Sequence, residues 1–205
     1  MAKRIEEKYK VCYELSKIIE GTTVEIDVLK INNKFLLNIG SLGFDAEVLK
    51  SFLFLKEKTP IKGKVLYTVA IVGNIIRTLA LNKKYTLRIE IDGEYIAGDY
   101  FLLAFANGRY YGGGMQPAPN AELDNGFMDI CLIKKTGIYN ALWAAKLMKK
   151  GLHTKLKEVE IIRAKQALIR GKIPLPVNID GEFSLEQEVK VDILPKSIEI
   201  IIPRK

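Results

Sequence analysis

The residues best suited to chemistry lie in two short stretches. The first, Asn178-Ile179-Asp180-Gly181-Glu182, holds an Asp-Gly pair, a signal for a tight hairpin turn. Such a turn would present Asp180 and Glu182 together at a strand end. Two carboxylates placed there could act as a general base or as metal ligands. A solvated acidic hairpin tip is the plainer alternative. The second stretch runs from Phe105 to Asp129 (FANGRYYGGGMQPAPNAELDNGFMD). A loop of roughly 20 residues inside a compact domain is uncommon unless it is functional. Its Gly112, Gly113 and Gly114 permit backbone conformations that other residues avoid, and they let another group approach the main chain closely. The alternative there is a glycine-rich hairpin end with no ligand.

Other chemistry is excluded by scarcity. The chain has one histidine, His153, and two cysteines, Cys12 and Cys131. These cannot build a Cys/His zinc site. A Ser–His–Asp or Cys–His device would have to use His153, which sits in a lysine-rich, loop-like stretch. Cys12 lies in a helical pattern and Cys131 in an apolar strand pattern, so both read as reduced core residues of a cytosolic protein. The N-terminus, MAKRIEEKYK, is charged from the start and shows no signal peptide.

Charge narrows the partners. The 32 Lys and Arg against 24 Asp and Glu give a net +8, which favours polyanions: nucleic acid, nucleotide phosphates or anionic headgroups. Ile130 to Lys157 holds seven lysines and no acidic residue. Within it, Tyr139, Trp143, Lys146 and Lys150 share one face at helical spacing. An aromatic and lysine face suits the headgroup layer of an anionic membrane. The alternative is a solvated basic face with Trp143 tucked against a sheet. No helix-turn-helix signature, zinc ligand set or RNP-like strand supports nucleic acid.

The elements that must position these residues follow from periodicity. Residues 3–20 read as an amphipathic helix ended by Gly21. TVEIDVLKI and FLLNIGSLG, around Asn32-Asn33, read as a hairpin. Asp45 to Lys56 reads as a short helix, and Pro60 opens a strongly apolar one over 65–81. There Leu66, Val69, Val72, Ile76 and Leu79 recur at helical spacing, which predicts a wide buried face. A helix lying on a membrane surface is the alternative. YTLRIEID, the Asp92-Gly93 turn and Tyr95 to Asn107 predict a hairpin, and Phe127 to Ile133 a buried strand. Thr136 to Lys150 reads as a helix. Strands fill the rest, punctuated by Gly171, Pro174, Pro176, Asp180-Gly181 and Pro195. Strands in runs predict a mainly β, α+β chain: an antiparallel β-sandwich with attached helices.

Four segments in order, Asn38-IGSLGF-Asp45, Ala106-NGRYYGGG-Met115, Pro119-NAELDNGFM-Asp129 and Asp180-Gly181-Glu182, resemble the C-terminal domain of bacterial diacylglycerol kinases and related lipid kinases. The resemblance spans roughly residues 18 to 202. It divides the chain into an N-terminal helix, 1–20, left from an interdomain connection, and a β-sandwich domain, 21–205. It implies transfer of the ATP γ-phosphoryl group to a lipid hydroxyl with magnesium, in a cleft between this domain and an N-terminal nucleotide-binding domain. Carried over by position, Glu182 would be the general base, and Asp180, Asn107, Gly112, Gly113 and Gly114 would line the cleft. A structural magnesium would sit on Glu122, Asn125 and Phe127, the first and last through backbone carbonyls, with Asp124 as an alternative donor. The Gly-Gly-Asp-Gly-Thr nucleotide motif of the family is absent from these 205 residues. The expectation is therefore a substrate-side domain, inactive alone, that takes diacylglycerol or a similar lipid. It would be cytoplasmic, peripheral at the inner membrane face, and would work with a nucleotide-binding domain in cis or in trans. A non-catalytic lipid-binding or regulatory module is the competing class.

Overall fold

A computed structural model describes residues 18–60, 63–112 and 114–203. Most of the helix expected over 3–20, with Cys12, lies outside the described residues, as does Gly113. The helix ends at residues 18–19, and the Gly21 N–H donates to the Ile18 carbonyl at 3.1 Å. Gly21 is needed for space: a Cβ there would lie 2.6 Å from the Ile202 carbonyl oxygen.

The strands are β1 (Thr22–Ile31), β2 (Lys34–Leu36), β3 (Ile39–Gly43), β4 (Tyr85–Ile91), β5 (Glu94–Ala106), β6 (Met128–Lys134), β7 (Val159–Ala164), β8 (Gln166–Ile179) and β9 (Glu182–Ile202). The helices are α1 (Phe44–Lys58), α2 (Gly63–Ala80) and α3 (Ile138–Met148). All strand pairings are antiparallel, in the order β2-β1-β9-β8-β3-β5-β6-β7, with β4 paired to both β5 and β8. β5 gives residues 94–100 to β4 and 102–106 to β3. β8 likewise gives 167–171 to β4 and 177–179 to β3. The sheet therefore folds over on itself and encloses a core, which is the expected sandwich.

Alternation explains why β5 and β6 read as continuous apolar runs. Leu103, Phe105, Met128, Ile130 and Leu132 face the sandwich interior. Leu102, Ala104, Ala106, Cys131 and Ile133 face the other way, under the 108–127 loop and Met148 of α3. Strands covered on both faces need apolar residues at both parities.

Three expectations need correction. FLLNIGSLG is two strands: β2 closes the Asn32 hairpin with β1, and β3 leaves to pair with β5 and β8. The prolines of the C-terminal third do not break strands. Gly171 and Pro174 lie in β8 where its register with β9 shifts between Arg170 and Leu175, and Pro195 lies in β9 opposite the β1 shift at Ile26/Val28. Proline lacks a ladder donor, and a bulge is where a strand tolerates that. The third correction concerns α2. Its principal packing is against α1, not the sheet. Leu66, Ala70 and Asn74 are its buried line, while Val65, Val69, Val72 and Ile76 are exposed. The Leu79 side chain lies outside the described residues. Among the described residues no helix is long and apolar enough to cross a membrane.

Candidate active site

The Asp180-Gly181 turn joins β8 to β9, and both residues have positive φ, 47° and 94°. That is the turn a two-residue hairpin requires. Asp180 spends its carboxylate on the chain beside it: Oδ2 accepts the Leu37 N–H at 3.2 Å and Oδ1 the Ile39 N–H at 3.5 Å. The Gly181 N–H donates to Asn178 Oδ1 at 2.9 Å. Asn178 Nδ2 in turn donates to Asp45 Oδ2 at 2.8 Å, and the Ser41 hydroxyl donates to the same oxygen at 2.6 Å. Ser41 and Asn178 are cross-strand partners in β3 and β8, so sheet register sets this network. Asp45, in the first turn of α1, is buried. Burial pushes its carboxyl above the usual range, and the bonds from Ser41 and Asn178 pull it back in part.

The glycine loop closes on itself. Tyr111 and Met115 exchange backbone hydrogen bonds at 3.0 and 2.9 Å around a tip whose Gly112 and Gly114 have φ of 48° and 92°. The structure brings this loop to the carboxylate turn. Asn38, Asp45, Tyr67, Tyr111, Gly112, Asn178, Asp180 and Gly181, with the apolar Ile39 and Leu49, line one cleft of about 480 Å³. Glu182 stands just outside that lining, exposed, with Lys34 Nζ 3.5 Å from its carboxylate. An exposed pair of this kind contributes under about 1 kcal/mol, so the carboxylate is free to change partners. Gly114 is exposed and absent from the lining. Asn107 is fully buried: its Nδ2 donates to the carbonyls of Asp27 at 2.7 Å and Leu37 at 3.2 Å, and its backbone N–H to Asn38. Its role here is to hold the chain beneath the cleft.

A second cavity, about 130 Å³ and almost wholly apolar, lies beside the first. Ile71 and Ile75 of α2 form one wall, Ala141, Leu142 and Ala145 of α3 another, and Phe101, Leu102 and Ile133 of the sheet its floor. Phe44 stacks on Phe101 at 4.6 Å, and Phe52 meets Tyr67 edge-on at 5.7 Å, which fixes the mouth. Burial pushes the Tyr67 phenol up to about 12, with the Asp45 carboxylate adding to the shift. Tyr111 is pushed well above its usual value by burial, then by Asp45 and Tyr67.

The loop expected to hold metal is fixed by hydrogen bonds. Asn125 Oδ1 accepts the Phe127 N–H at 2.9 Å. Asp27, fully buried at the β1 bulge, pins the loop from outside. Its Oδ2 accepts the Gly126 N–H at 2.6 Å, its Oδ1 the Lys196 N–H at 2.8 Å, and its own N–H donates to the Leu123 carbonyl at 2.6 Å. The backbone carbonyls of Glu122 and Phe127 and the Asn125 side chain, with the Asp124 carboxylate beside them, are oxygen donors of the kind that could hold magnesium together with waters. Among the described residues no cluster of three His, Cys, Asp or Glu forms. Sequence reasoning missed Asp27 and Asp45. The signal for Asp27 was a charge on the parity of Leu29 and Ile31, both fully buried.

Tyr139, Trp143, Lys146 and Lys150 are all exposed; the first three lie on one face of α3 and Lys150 just past its end, and Lys146 Nζ lies 5.4 Å from the Trp143 ring centroid. His153 is buried in a 3₁₀ turn, its Nε2 3.0 Å from the Pro117 carbonyl. Cys131 is a free, buried thiol pushed up to about 12 by burial.

Residues 38–202 match the family model described as the YegS C-terminal NAD kinase beta sandwich-like domain. A probable lipid kinase, YegS-like, of Shewanella frigidimarina is 30% identical over 196 residues, which cover 92% of this chain and 59% of that protein. A diacylglycerol kinase of Mycobacterium tuberculosis is 28% identical over 194 residues, covering 91% of this chain and 60% of that one. The crystal structure of a diacylglycerol kinase from Bacillus anthracis shares the fold with a TM-score of 0.62 at 18% identity, over 97% of this chain and 62% of that one. The chain thus spans about three fifths of the length of the curated relatives it matches.

Proposed function

This chain belongs to the YegS C-terminal NAD kinase beta sandwich-like domain family, and on that premise we propose that it is the substrate-side domain of an ATP-dependent lipid kinase. The acceptor is the hydroxyl of diacylglycerol or a related lipid. One observation carries the reading: an almost wholly apolar cavity lies beside a larger cleft of mixed lining edged by the Asp45 and Asp180 carboxylates. A short stretch of acyl chain fits the first, and a hydroxyl with an incoming phosphate fits the second. Phosphoryl transfer asks the protein for positioning, charge neutralisation and a base for the hydroxyl proton. Glu182 takes that proton as the lipid oxygen bonds to the γ-phosphorus and ADP leaves. Its exposed place at the rim suits a group that meets its substrate when a second domain closes. ATP, the phosphoryl donor, sits with its magnesium on a nucleotide-binding domain that acts in cis or in trans. The Glu122–Phe127 loop contributes no step.

The membrane face is α3 together with α2. Tyr139, Trp143 and Lys146 lie on the first, with Lys150 just past its end, and Val65, Val69, Val72 and Ile76 on the second. These helices also wall the apolar cavity, so a bound surface would feed lipid into it.

The test is phosphoryl transfer from labelled ATP to diacylglycerol in anionic vesicles, with and without an added nucleotide-binding domain. The chain alone should give no turnover, and the pair should. Glu182→Gln should lower the pair's rate by about 10²-fold or more. Full turnover by the chain alone, or by the Glu182→Gln pair, would contradict the reading.

A further inference from the structure

The apolar cavity and the larger, more polar cleft beside it share three side chains: Asp45, Tyr67 and Tyr111. These residues form the boundary that any molecule spanning both spaces must cross. The Tyr111 hydroxyl is sealed from solvent and has no hydrogen-bond partner among the described residues. Burying an unpaired hydroxyl is unfavourable, and a site retains one where a ligand supplies the missing partner. The Tyr67 hydroxyl belongs to the same boundary: a Cβ added at Gly112 would lie 3.9 Å from it. The absence of a side chain at Gly112 thus leaves the rim open beside the phenol. Both bonds that Asp45 accepts fall on Oδ2, which ties the carboxyl to Ser41 and Asn178 and fixes it beside the phenols. A phenol above its usual pKa keeps its proton at physiological pH and acts as a hydrogen-bond donor.

Resting on the lipid reading above, we infer that Tyr111, with Tyr67 at its side, reads the carbonyl of the ester or amide linkage where acyl chain meets headgroup. In an acyl lipid that carbonyl lies at the junction of the apolar chain and the polar end. In the protein Tyr111, which carries the unpaired donor, lines both the apolar cavity and the more polar cleft beside it. The assignment names a specificity residue: lipids with a carbonyl at that junction are preferred over ether-linked lipids of the same length and with the same free hydroxyl.

The test compares dihexanoylglycerol with its diether analogue, dihexylglycerol, by calorimetric titration of the full chain. The wild-type chain should bind the ester lipid about tenfold more tightly, the value of one good hydrogen bond. Tyr111→Phe should bring the ester lipid down to the ether lipid's affinity and leave the ether lipid unchanged. Its thermal midpoint should hold or rise, because the deleted hydroxyl has no partner among the described residues of the free protein. Equal affinity of wild type for the two lipids overturns the assignment and leaves the lipid reading intact. So does a Tyr111→Phe variant that keeps the ester preference, or one that loses both lipids equally. Binding of neither lipid by wild type overturns the lipid reading and the assignment with it.

Discussion

At the scale of the residue, the polar groups that shape this protein are mostly buried ones. Asp45 collects Ser41 and Asn178 at the cleft floor, and Asp27 joins a strand bulge to the 122–127 loop. His153 is a buried staple with no place in the cleft. Burial holds its imidazole below the ordinary 6.5, and the bond to the Pro117 carbonyl offsets this in part. The unfolded chain therefore takes up the proton first. The contribution of His153 is complete above about pH 6.5 and falls as pH drops through the window between that value and its lowered one. Urea denaturation across pH 5 to 8 should show that decline. His153→Gln should remove it, and an unchanged slope in the variant would contradict the account. Asp45 works in the opposite sense, because its raised carboxyl binds its proton more tightly when folded. The His153 effect must therefore be read as the difference between the two proteins.

At the scale of the element, most of the strand and helix placement was legible in the sequence. The Asn32, Asp92 and Asp180 turns all adopt the positive φ that their residue types signal. What periodicity misread is informative. The spacing of Val69, Val72 and Ile76 correctly marked one face of α2, but not which way it points, because α2 packs on α1 and not on the sheet. Prolines 174 and 195 read as breaks because local signals cannot see the neighbouring strand that turns a break into a bulge. The cleft was legible as two motifs, while its third part, Asp45, needed tertiary register to appear. The exposed α2 face gives a direct prediction. The double variant Val72→Asp, Ile76→Asp should keep its stability within about 1 kcal/mol, as exposed substitutions do. It should sediment less with anionic vesicles, and Lys146→Glu with Lys150→Glu should lose about 1 kcal/mol of binding per lysine removed. Sedimentation equal to wild type in both variants would remove these helices from the membrane face.

At the scale of the whole molecule, the sandwich is a scaffold that brings a glycine loop, a hairpin turn and two helices to one side. Its core is closed on the inner faces of β5, β6 and β8, whereas the outer face leaves a gap beneath α2 and α3. Size and charge fit the same picture. The length suffices for a core, and Lys146, Lys149 and Lys150 lie in or just after α3, which borders the gap. The central claim is that this gap receives acyl chains. Methyl NMR of the chain titrated with dihexanoylglycerol tests it most directly. The account predicts selective shifts at Ile71, Ile75, Met115 and Met148, which line the gap, with Ile89 and Ile130 of the sandwich core unmoved. Saturating lipid with no change at the four gap methyls, or with shifts spread evenly through the core, would contradict it.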